Sequence, residues 1–237
     1  MVDGKTKKLG DIMFDLKVLY EDNHIIVVEK PVNIPSQGDK TGDIDILTII
    51  KEYIKKKYNK PGDVYLGLVH RLDRPTGGVM VFAKTSKAAS RLSEQIRDKQ
   101  IHKKYLCIVD GKMEFDKGTF NDYLLKNERT NTSKVVEKNT KNAKEAILDY
   151  EVLKYKEEIN LSVLKVNLHT GRHHQIRVQF ASRNHSLYGD QKYGSRGRGK
   201  QLALWAYSLS FLHPTLKENM EFEDYPEKIG SWKILEE

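Results

Sequence analysis

The stretch VHRLDRPTGGVMVFAK, residues 69–84, places a polar turn between two apolar segments. Residues 66–69 are predicted to form a short strand that leads into the turn, and residues 79–83 a second buried strand that leaves it. The Pro-Thr-Gly-Gly segment, residues 75–78, lets the backbone bend and approach a ligand closely. The pattern therefore predicts a functional turn held between two buried strands.

Asp73 is the one carboxylate in this turn, and two arginines, Arg71 and Arg74, flank it. Nearby guanidinium groups favour the ionised form of a carboxyl group, and a carboxylate can act as a nucleophile or a base. The alternative is a turn aspartate that only caps backbone N–H groups. Because the motif has no second acidic residue, it argues against a two-carboxylate glycosidase and against a magnesium site.

The rest of the chain has the pattern of short strands with a few amphipathic helices. Asp45 and Ser86 are predicted to be the N-caps of two of these helices. Between residues 120 and 156 the pattern is weaker and indicates a meander of strands. Polar, basic stretches at 126–134 and 138–144 are predicted to be its exposed tips. The other predicted strands cover residues 24–30, 103–109, 164–168 and 202–211.

Strands outnumber helices, and most links between strands are too short for helical crossovers. We therefore predict an α+β fold with a mixed, mainly antiparallel β-sheet and flanking helices. No internal repeat or clear linker divides the sequence. Residues 16–237 are predicted to form a single domain that follows an N-terminal tail, residues 1–15.

A second polar cluster, residues 169–177, is predicted to begin a helix in which His173 and Arg177, four residues apart, share a face. Free N–H groups and the positive dipole end of this helix, with Arg172 nearby, would suit a phosphate. The histidines could instead bind a metal, but no carboxylate completes the ligand set. A third interpretation is a solvated polar helix face.

Tyr105 follows Lys103 and Lys104 at the start of a predicted strand, and its ring could stack on a base displaced from a nucleic-acid helix. A tyrosine in a strand is also commonly packed in a core. A glycine-rich basic loop, residues 195–200, is predicted either to contact phosphates or to be an ordinary solvated surface.

The charge balance favours a polyanionic partner. The 237 residues include 41 lysines and arginines against 33 aspartates and glutamates, which gives a formal charge of +8 and a pI near 9.2. Nucleic acid is the commonest polyanionic partner of such a protein.

One cysteine, Cys107, excludes an internal disulfide framework and a cysteine-based zinc site. No apolar run approaches the roughly 20 residues of a membrane span, and no secretory signal is recognised. These features predict a cytoplasmic protein.

Together these motifs resemble the RluA-type RNA pseudouridine synthases. Residues 69–84 are similar to the central motif of that family, and further segments occur in the expected order. The resemblance implies a mixed sheet with a central catalytic cleft. It also implies an isomerase that flips specific uridines out of ribosomal or transfer RNA and converts them to pseudouridine without a cofactor or metal. A monomer is the plain expectation, although the sequence itself does not address the oligomeric state. The further segments are residues 24–35, 103–111, 169–180, 189–194 and 203–214.

The resemblance also implies roles for single residues. Asp73 matches the essential aspartate, Tyr105 the tyrosine that stacks on the flipped base and takes part in proton transfer, and Arg177 the arginine that pairs with the aspartate. Leu204 matches an apolar residue that lines the base pocket, and Arg71 resembles a residue that helps occupy the gap left by the flipped base. The residues expected to bind substrate or RNA are Arg71, Arg74, His70, Arg172, His173, Gln175, Leu204 and Lys104.

Two positions depart from the family pattern: Gly77 stands where many relatives have serine, and Trp205 where many have histidine. Either change could alter the shape of the pocket. We also expect no separate RNA-binding module before the catalytic domain, so the choice between ribosomal and transfer RNA stays open. The intermediate that Asp73 forms stays open as well. The alternative function is an RNA-binding or RNA-chaperone protein on the same fold.

Overall fold

The computed structural model describes residues 16–194 and 199–236, and within them strands greatly outnumber helices. The predicted tail, residues 1–15, and residues 195–198 of the predicted basic loop lie outside the described residues. The helices are α1 (Ile46–Lys57), α2 (Ser86–Arg97) and α3 (Gln175–Ala181), with 3-10 helices at Glu157–Ile159 and Gly230–Leu235. The strands are β1 (Val18–Glu21), β2 (Ile25–Lys30), β3 (Gly67–Leu68), β4 (Gly77–Ala83), β5 (His102–Asp110), β6 (Lys117–Asn127), β7 (Thr132–Val136), β8 (Lys144–Lys156), β9 (Leu161–Leu168), β10 (Leu204–Leu212) and β11 (Asn219–Glu223).

The eleven strands of the described ranges belong to one sheet. Its main path runs β1-β2-β4-β10-β5-β9-β8-β6-β7, while β3 pairs with β4 and β11 pairs with β10. The contact between β4 and β10 is parallel, and the other named pairs are antiparallel. The predicted α+β fold with a mixed, mainly antiparallel sheet is therefore confirmed.

The two halves of the sheet meet at the short parallel contact between β4 and β10. Gly77 pairs with Trp205 there, and Gly78 pairs with Ala206. Gly78 has φ +122°, and a Cβ atom on it would lie 2.2 Å from the Ala206 carbonyl oxygen. Only glycine allows this close approach in that conformation. The turn that contains Asp73 therefore ends where the two halves of the sheet join.

Helices α1 and α3 pack on one face of the sheet, and α2 packs on the other. Ile49 of α1 and Phe180 of α3 belong to the apolar cluster that also contains Tyr105 of β5. We call this side the cleft face. Leu92 of α2 belongs to a separate cluster on the opposite side, the back face, to which Leu106 of β5 also points. The cleft face thus has a helix over each half of the sheet.

The helix caps agree with the sequence at one helix and differ by one residue at the other. Asp45 caps α1, since its carboxylate accepts the N–H of Thr48 at 3.0 Å. The predicted cap Ser86 is wrong: Thr85 is the N-cap of α2, and its hydroxyl accepts the N–H of Ala88 at 3.1 Å. Serine and threonine cap similarly well, so the extended backbone of Thr85 decides between them.

The weak pattern between residues 120 and 156 corresponds to the longest strands of the sheet. In β6 the side chains of Phe120 and Leu124 are buried, and they are four residues apart. The strand therefore lacks the alternation of apolar residues by which strands are recognised. The first predicted tip, 126–134, is shorter than expected, because β6 extends to Asn127 and β7 begins at Thr132. The second, 138–144, lies between β7 and β8 as predicted, except that Lys144 already belongs to β8.

Candidate active site

Asp73 lies in the turn before β4, and 29% of its side chain is exposed. Its Oδ2 atom accepts a hydrogen bond from Nη1 of Arg177 at 3.2 Å. The Nε2 atom of His174 lies 3.6 Å from the same oxygen. The N–H of Thr76 donates to the Asp73 carbonyl at 2.9 Å and closes the turn. Oδ1 makes no hydrogen bond with the residues that the structure describes, so one carboxylate oxygen is held and the other is open.

Arg177 lies on α3 and is buried, with 5% of its surface exposed. Its Nε and Nη2 atoms donate to the two carboxylate oxygens of Asp190 at 2.7 and 2.8 Å. The N–H groups of Lys192 and Tyr193 also donate to Asp190. Burial opposes the charge of Arg177, but Asp190 and Asp73 together outweigh burial and raise its pKa. The guanidinium is therefore charged and fixed in orientation.

The short helix α3 differs from the prediction. It begins at Gln175, and His174 is its N-cap with φ 55° and no side-chain cap hydrogen bond. His173 therefore lies before the helix, and the predicted face shared by His173 and Arg177 is wrong. The solvated face is wrong too, because Gln175, Arg177 and Gln179 are all buried. Their partners come from other segments, which helical periodicity cannot reveal.

His174 belongs to a directed chain of hydrogen bonds that starts on β7. The Tyr193 hydroxyl accepts the N–H of Ser133 at 2.7 Å and lies 2.7 Å from Nδ1 of His174. Burial lowers the pKa of His174 to about 3, so the ring is neutral near pH 7. Because Tyr193 can donate its proton to Nδ1, the ring proton belongs on Nε2, which faces Asp73. His173 stacks on this ring, with centroids 3.7 Å apart, and its Nδ1 lies 2.9 Å from the Ser133 hydroxyl.

Tyr105 and Leu204 lie together on the cleft face, in the apolar cluster between the helices. Burial, followed by the charge of Asp73, raises the pKa of Tyr105, so its phenol stays neutral.

Lys104, which was expected to bind RNA beside Tyr105, points to the back face because side chains alternate along β5. Its ammonium lies 3.3 Å from a carboxylate oxygen of Glu221. Lys104 therefore does not line the cleft.

Lys30, at the end of β2, and Ser36, in the loop that follows it, fix the turn that carries Asp73. Lys30 is fully buried, and its ammonium donates to three backbone carbonyls, including that of Arg74 at 3.2 Å. Burial lowers the pKa of Lys30 to about 7, while the charge of Asp73 acts in the opposite direction. The Ser36 hydroxyl exchanges hydrogen bonds of 2.7 and 3.1 Å with the backbone of Leu72. The turn is therefore anchored on both sides of Asp73.

Two of the residues expected to bind RNA use their side chains inside the protein. His70 accepts the N–H of Val81 on Nε2 at 3.1 Å, and burial lowers its pKa to about 3. Gln175 accepts from the Thr170 hydroxyl at 2.7 Å and donates to the carbonyl of Ile147 at 3.1 Å. Both side chains therefore hold neighbouring segments together, and their expected role in binding RNA stays a prediction.

The three arginines expected to bind RNA have different surroundings. Arg74 pairs with Asp43, so the loop after β2 compensates its charge. Arg172 donates from Nε to the carbonyl of Glu145 at 2.7 Å and is exposed. Arg71 is exposed and makes no hydrogen bond with the described part of the chain. Arg71 and Arg172 can thus offer a charge to RNA more readily than Arg74.

Four residues of this site were not found from the sequence: Lys30, His174, Tyr193 and Asp190. Asp190 and Tyr193 lie in the segment 189–194, whose motif was recognised without a role for either side chain. His174 lies in the recognised second cluster, but its neighbour His173 was chosen. No sequence pattern near Lys30 indicates its role, because its ammonium binds backbone carbonyls, which every residue carries.

The described ranges contain no group of three or more histidine, cysteine, aspartate or glutamate side chains placed to hold a metal ion. Among the same residues, no helix has the length and apolar character needed to cross a membrane.

Comparison with known proteins gives a consistent set of matches. A family model described as RNA pseudouridylate synthase matches residues 24–182. An uncharacterized RNA pseudouridine synthase of Aquifex aeolicus is 37% identical over 94% of this chain and 73% of that protein. Ribosomal large subunit pseudouridine synthase C of Buchnera aphidicola is 33% identical over 88% of this chain and 66% of that protein. The chain thus spans about two thirds of the length of these curated relatives.

A solved structure has a similar fold. Human RNA pseudouridylate synthase domain containing 4 superimposes with a TM-score of 0.75 at 23% identity, covering 89% of each chain. The segment that matches the family model contains Asp73, Tyr105 and Arg177, which the structure brings together on the cleft face.

Proposed function

This chain belongs to the RNA pseudouridylate synthase family, and we propose that it isomerises uridines of ribosomal RNA with Asp73 as the catalytic carboxylate. One observation carries the assignment of Asp73. Arg177 and His174 face its Oδ2 atom, while Oδ1 has no partner within the described ranges. A carboxylate held by one oxygen presents the other in a defined direction.

The reaction breaks the bond from uracil N1 to the ribose and forms a bond from uracil C5 to the same carbon. The proton on C5 is lost and N1 gains one, so no electrons are exchanged with a cofactor. Oδ1 of Asp73 can attack the ribose, attack the base or remove a ribose proton. Each route begins with the carboxylate of Asp73, whose Oδ2 atom is held by a charge-assisted hydrogen bond from Arg177.

We propose that Tyr105 contacts the base while Asp73 reacts. The two residues are close enough for the charge of Asp73 to raise the pKa of Tyr105. A neutral phenol can stack on the uracil ring and donate its hydroxyl proton. Leu204, in the same cluster, adds apolar surface for the base.

A uridine in a helix must leave its stack to reach Oδ1, which costs a few kcal/mol. Stacking on Tyr105 and phosphate contacts by exposed basic residues such as Arg71 can offset this cost. Ribosomal RNA is the proposed substrate because a relative 33% identical to this chain is named for the large ribosomal subunit. The formal charge of +8 supports a polyanionic substrate.

A map of pseudouridines in total RNA, with and without the gene, tests this function. We expect specific positions of large-subunit ribosomal RNA to lose pseudouridine in the deletion strain and to regain it when the wild-type gene is restored. If the missing positions lie in transfer RNA, the substrate is wrong. If no position changes, the activity itself is wrong.

A further inference from the structure

Lys103 and Lys104 are neighbours in sequence, but they leave β5 on opposite faces of the sheet. Lys104 points to the back face, toward Glu221. Lys103 therefore shares the cleft face with Tyr105, two residues further along the strand. The side chain of Lys103 is half-buried, and burial lowers its pKa. One lysine of the pair is thus in the cleft, and it is not Lys104, the one predicted from the sequence.

The ammonium of Lys103 has no counterion among residues 16–194 and 199–236, and no hydrogen-bond acceptor there contacts it. Taking a charge out of water is costly unless an opposite charge compensates it. The partly desolvated, unpaired ammonium is therefore suited to an anionic ligand.

Two segments flank this ammonium. After burial, the charge of Lys103 is the second cause that lowers the pKa of His70, so Lys103 lies near the turn that carries Asp73. On the other side is Gly171, where an added Cβ would lie 3.3 Å from Nζ of Lys103. The N–H of Gly171 makes no hydrogen bond within the part of the chain that the structure describes. The ammonium thus lies close to a residue whose backbone N–H is free within the described ranges.

We propose that Nζ of Lys103 and the N–H of Gly171 bind a phosphate of the RNA strand next to the target uridine. An ammonium and a backbone N–H are both common phosphate ligands in nucleic-acid complexes. Alternate residues on a strand are about 7 Å apart, so Lys103 and Tyr105 can contact adjoining parts of one nucleotide. The proposal rests on the proposed function, because it takes the target strand to lie between Asp73 and Tyr105.

Gly171 gives a second way to test the site. Its φ does not lie in the left-handed region, so alanine fits the backbone. The new methyl group would crowd Nζ at 3.3 Å and hinder the approach of a phosphate without removing the charge of Lys103. Gly171→Ala therefore separates access to the ammonium from the charge itself.

The adjacent lysines provide a matched pair of variants in the full chain. The probe is a large-subunit ribosomal RNA transcript labelled with tritium at uridine C5, which releases tritium when pseudouridine forms. We expect Lys103→Gln to raise KM about tenfold, to leave kcat within about twofold, and to reduce the salt slope of binding by about one. Lys103→Arg should recover most of the loss, Gly171→Ala should raise KM about threefold, and Lys104→Gln should match the wild type.

An unchanged KM and salt slope in Lys103→Gln would overturn the proposal, as would an equal effect of Lys104→Gln. A loss confined to kcat would overturn it too, because it would place Lys103 at the reacting atoms. If the wild type releases no tritium, the proposed function is wrong. Filter binding of the same transcript then tests whether Lys103 binds a phosphate of the RNA. Weaker binding by Lys103→Gln than by Lys104→Gln supports the site, and equal binding overturns it.

Discussion

Asp190 holds the guanidinium of Arg177 through two hydrogen bonds, of 2.7 and 2.8 Å. A third nitrogen of the same group reaches Asp73 at 3.2 Å. Asp190 makes no hydrogen bond with Asp73, but it sets the direction of the cation that does. It is therefore a positioning residue for the reacting carboxylate.

Asp190→Asn should lower kcat about 30-fold with little change in KM, since misplacing a reacting group by a fraction of an ångström is costly. Breaking a buried ion pair should also cost about 3 kcal/mol of unfolding free energy. Tritium release and urea unfolding measure the two effects. The matched control is Asp122→Asn, which breaks a two-bond pair with the more exposed Arg183. A kcat loss as large in the control would contradict the positioning role.

Gly77 and Trp205, the two positions expected to depart from the family pattern, pair with each other where β4 meets β10. A Cβ on Gly77 would lie 2.2 Å from the Trp205 ring. We expect Gly77→Ser to destabilise the fold by about 3 kcal/mol, whereas adding Trp205→His should recover at least about 1 kcal/mol of that loss. Urea unfolding of the single and double variants measures this coupling. Additive costs, within about 0.5 kcal/mol, would show that the two positions are independent.

Tyr193→Phe removes the hydroxyl that lies 2.7 Å from Nδ1 of His174. The variant should lose about tenfold in kcat, because the proton on Nε2 is no longer favoured over Nδ1 and the contact with Asp73 weakens. Since the pKa of His174 is about 3, the imidazole is neutral in both proteins between pH 5 and 8, and the loss should be constant there. Tyr225→Phe, on an exposed tyrosine, is the control. An unchanged kcat in Tyr193→Phe would refute the hydrogen-bond chain.

Glu21 should contribute to the decrease in the free energy of unfolding at acidic pH. Burial raises its pKa, but hydrogen bonds from Lys57, Lys84 and Tyr58 outweigh burial and lower the pKa from 4.5 to about 2. A carboxyl whose pKa falls on folding stabilises the protein above pH 4.5, and this contribution disappears as the pH falls toward 2. Glu21→Gln should therefore unfold more easily at pH 7 and lose less stability than the wild type between pH 4.5 and 2.

Urea unfolding at several pH values measures the effect of Glu21→Gln. Glu94→Gln, on an exposed face of α2, is the matched control and should follow the wild type throughout. Parallel pH profiles for Glu21→Gln and the wild type would contradict the assignment.

The sequence predicts best where local pattern and burial agree. The β-branched run of β2 and the apolar spacing of α1 were both recognised, because each buries side chains at the period of its own element. The turn with Asp73 was also recognised, since glycine, proline and charged residues are concentrated there. These elements can be recognised from neighbouring residues alone, without the contacts between distant segments.

The remainder of the site depends on contacts between distant segments. Arg177 binds Asp73, which lies 104 residues earlier, and the three buried polar residues of α3 hide the usual apolar periodicity. Lys30 is buried against backbone carbonyls, which any sequence provides. The choice between Lys103 and Lys104 was within reach, because strand alternation places Lys103 on the same face as Tyr105.

The catalytic role of Asp73 is tested by the pseudouridine content of large-subunit ribosomal RNA from cells whose only copy of the gene carries Asp73→Asn. We predict that the positions modified by the wild type remain uridine. The purified variant should still bind the transcript within about threefold of wild-type affinity, since the substitution keeps the size of the side chain. Pseudouridine at wild-type levels at those positions would contradict the catalytic role of Asp73.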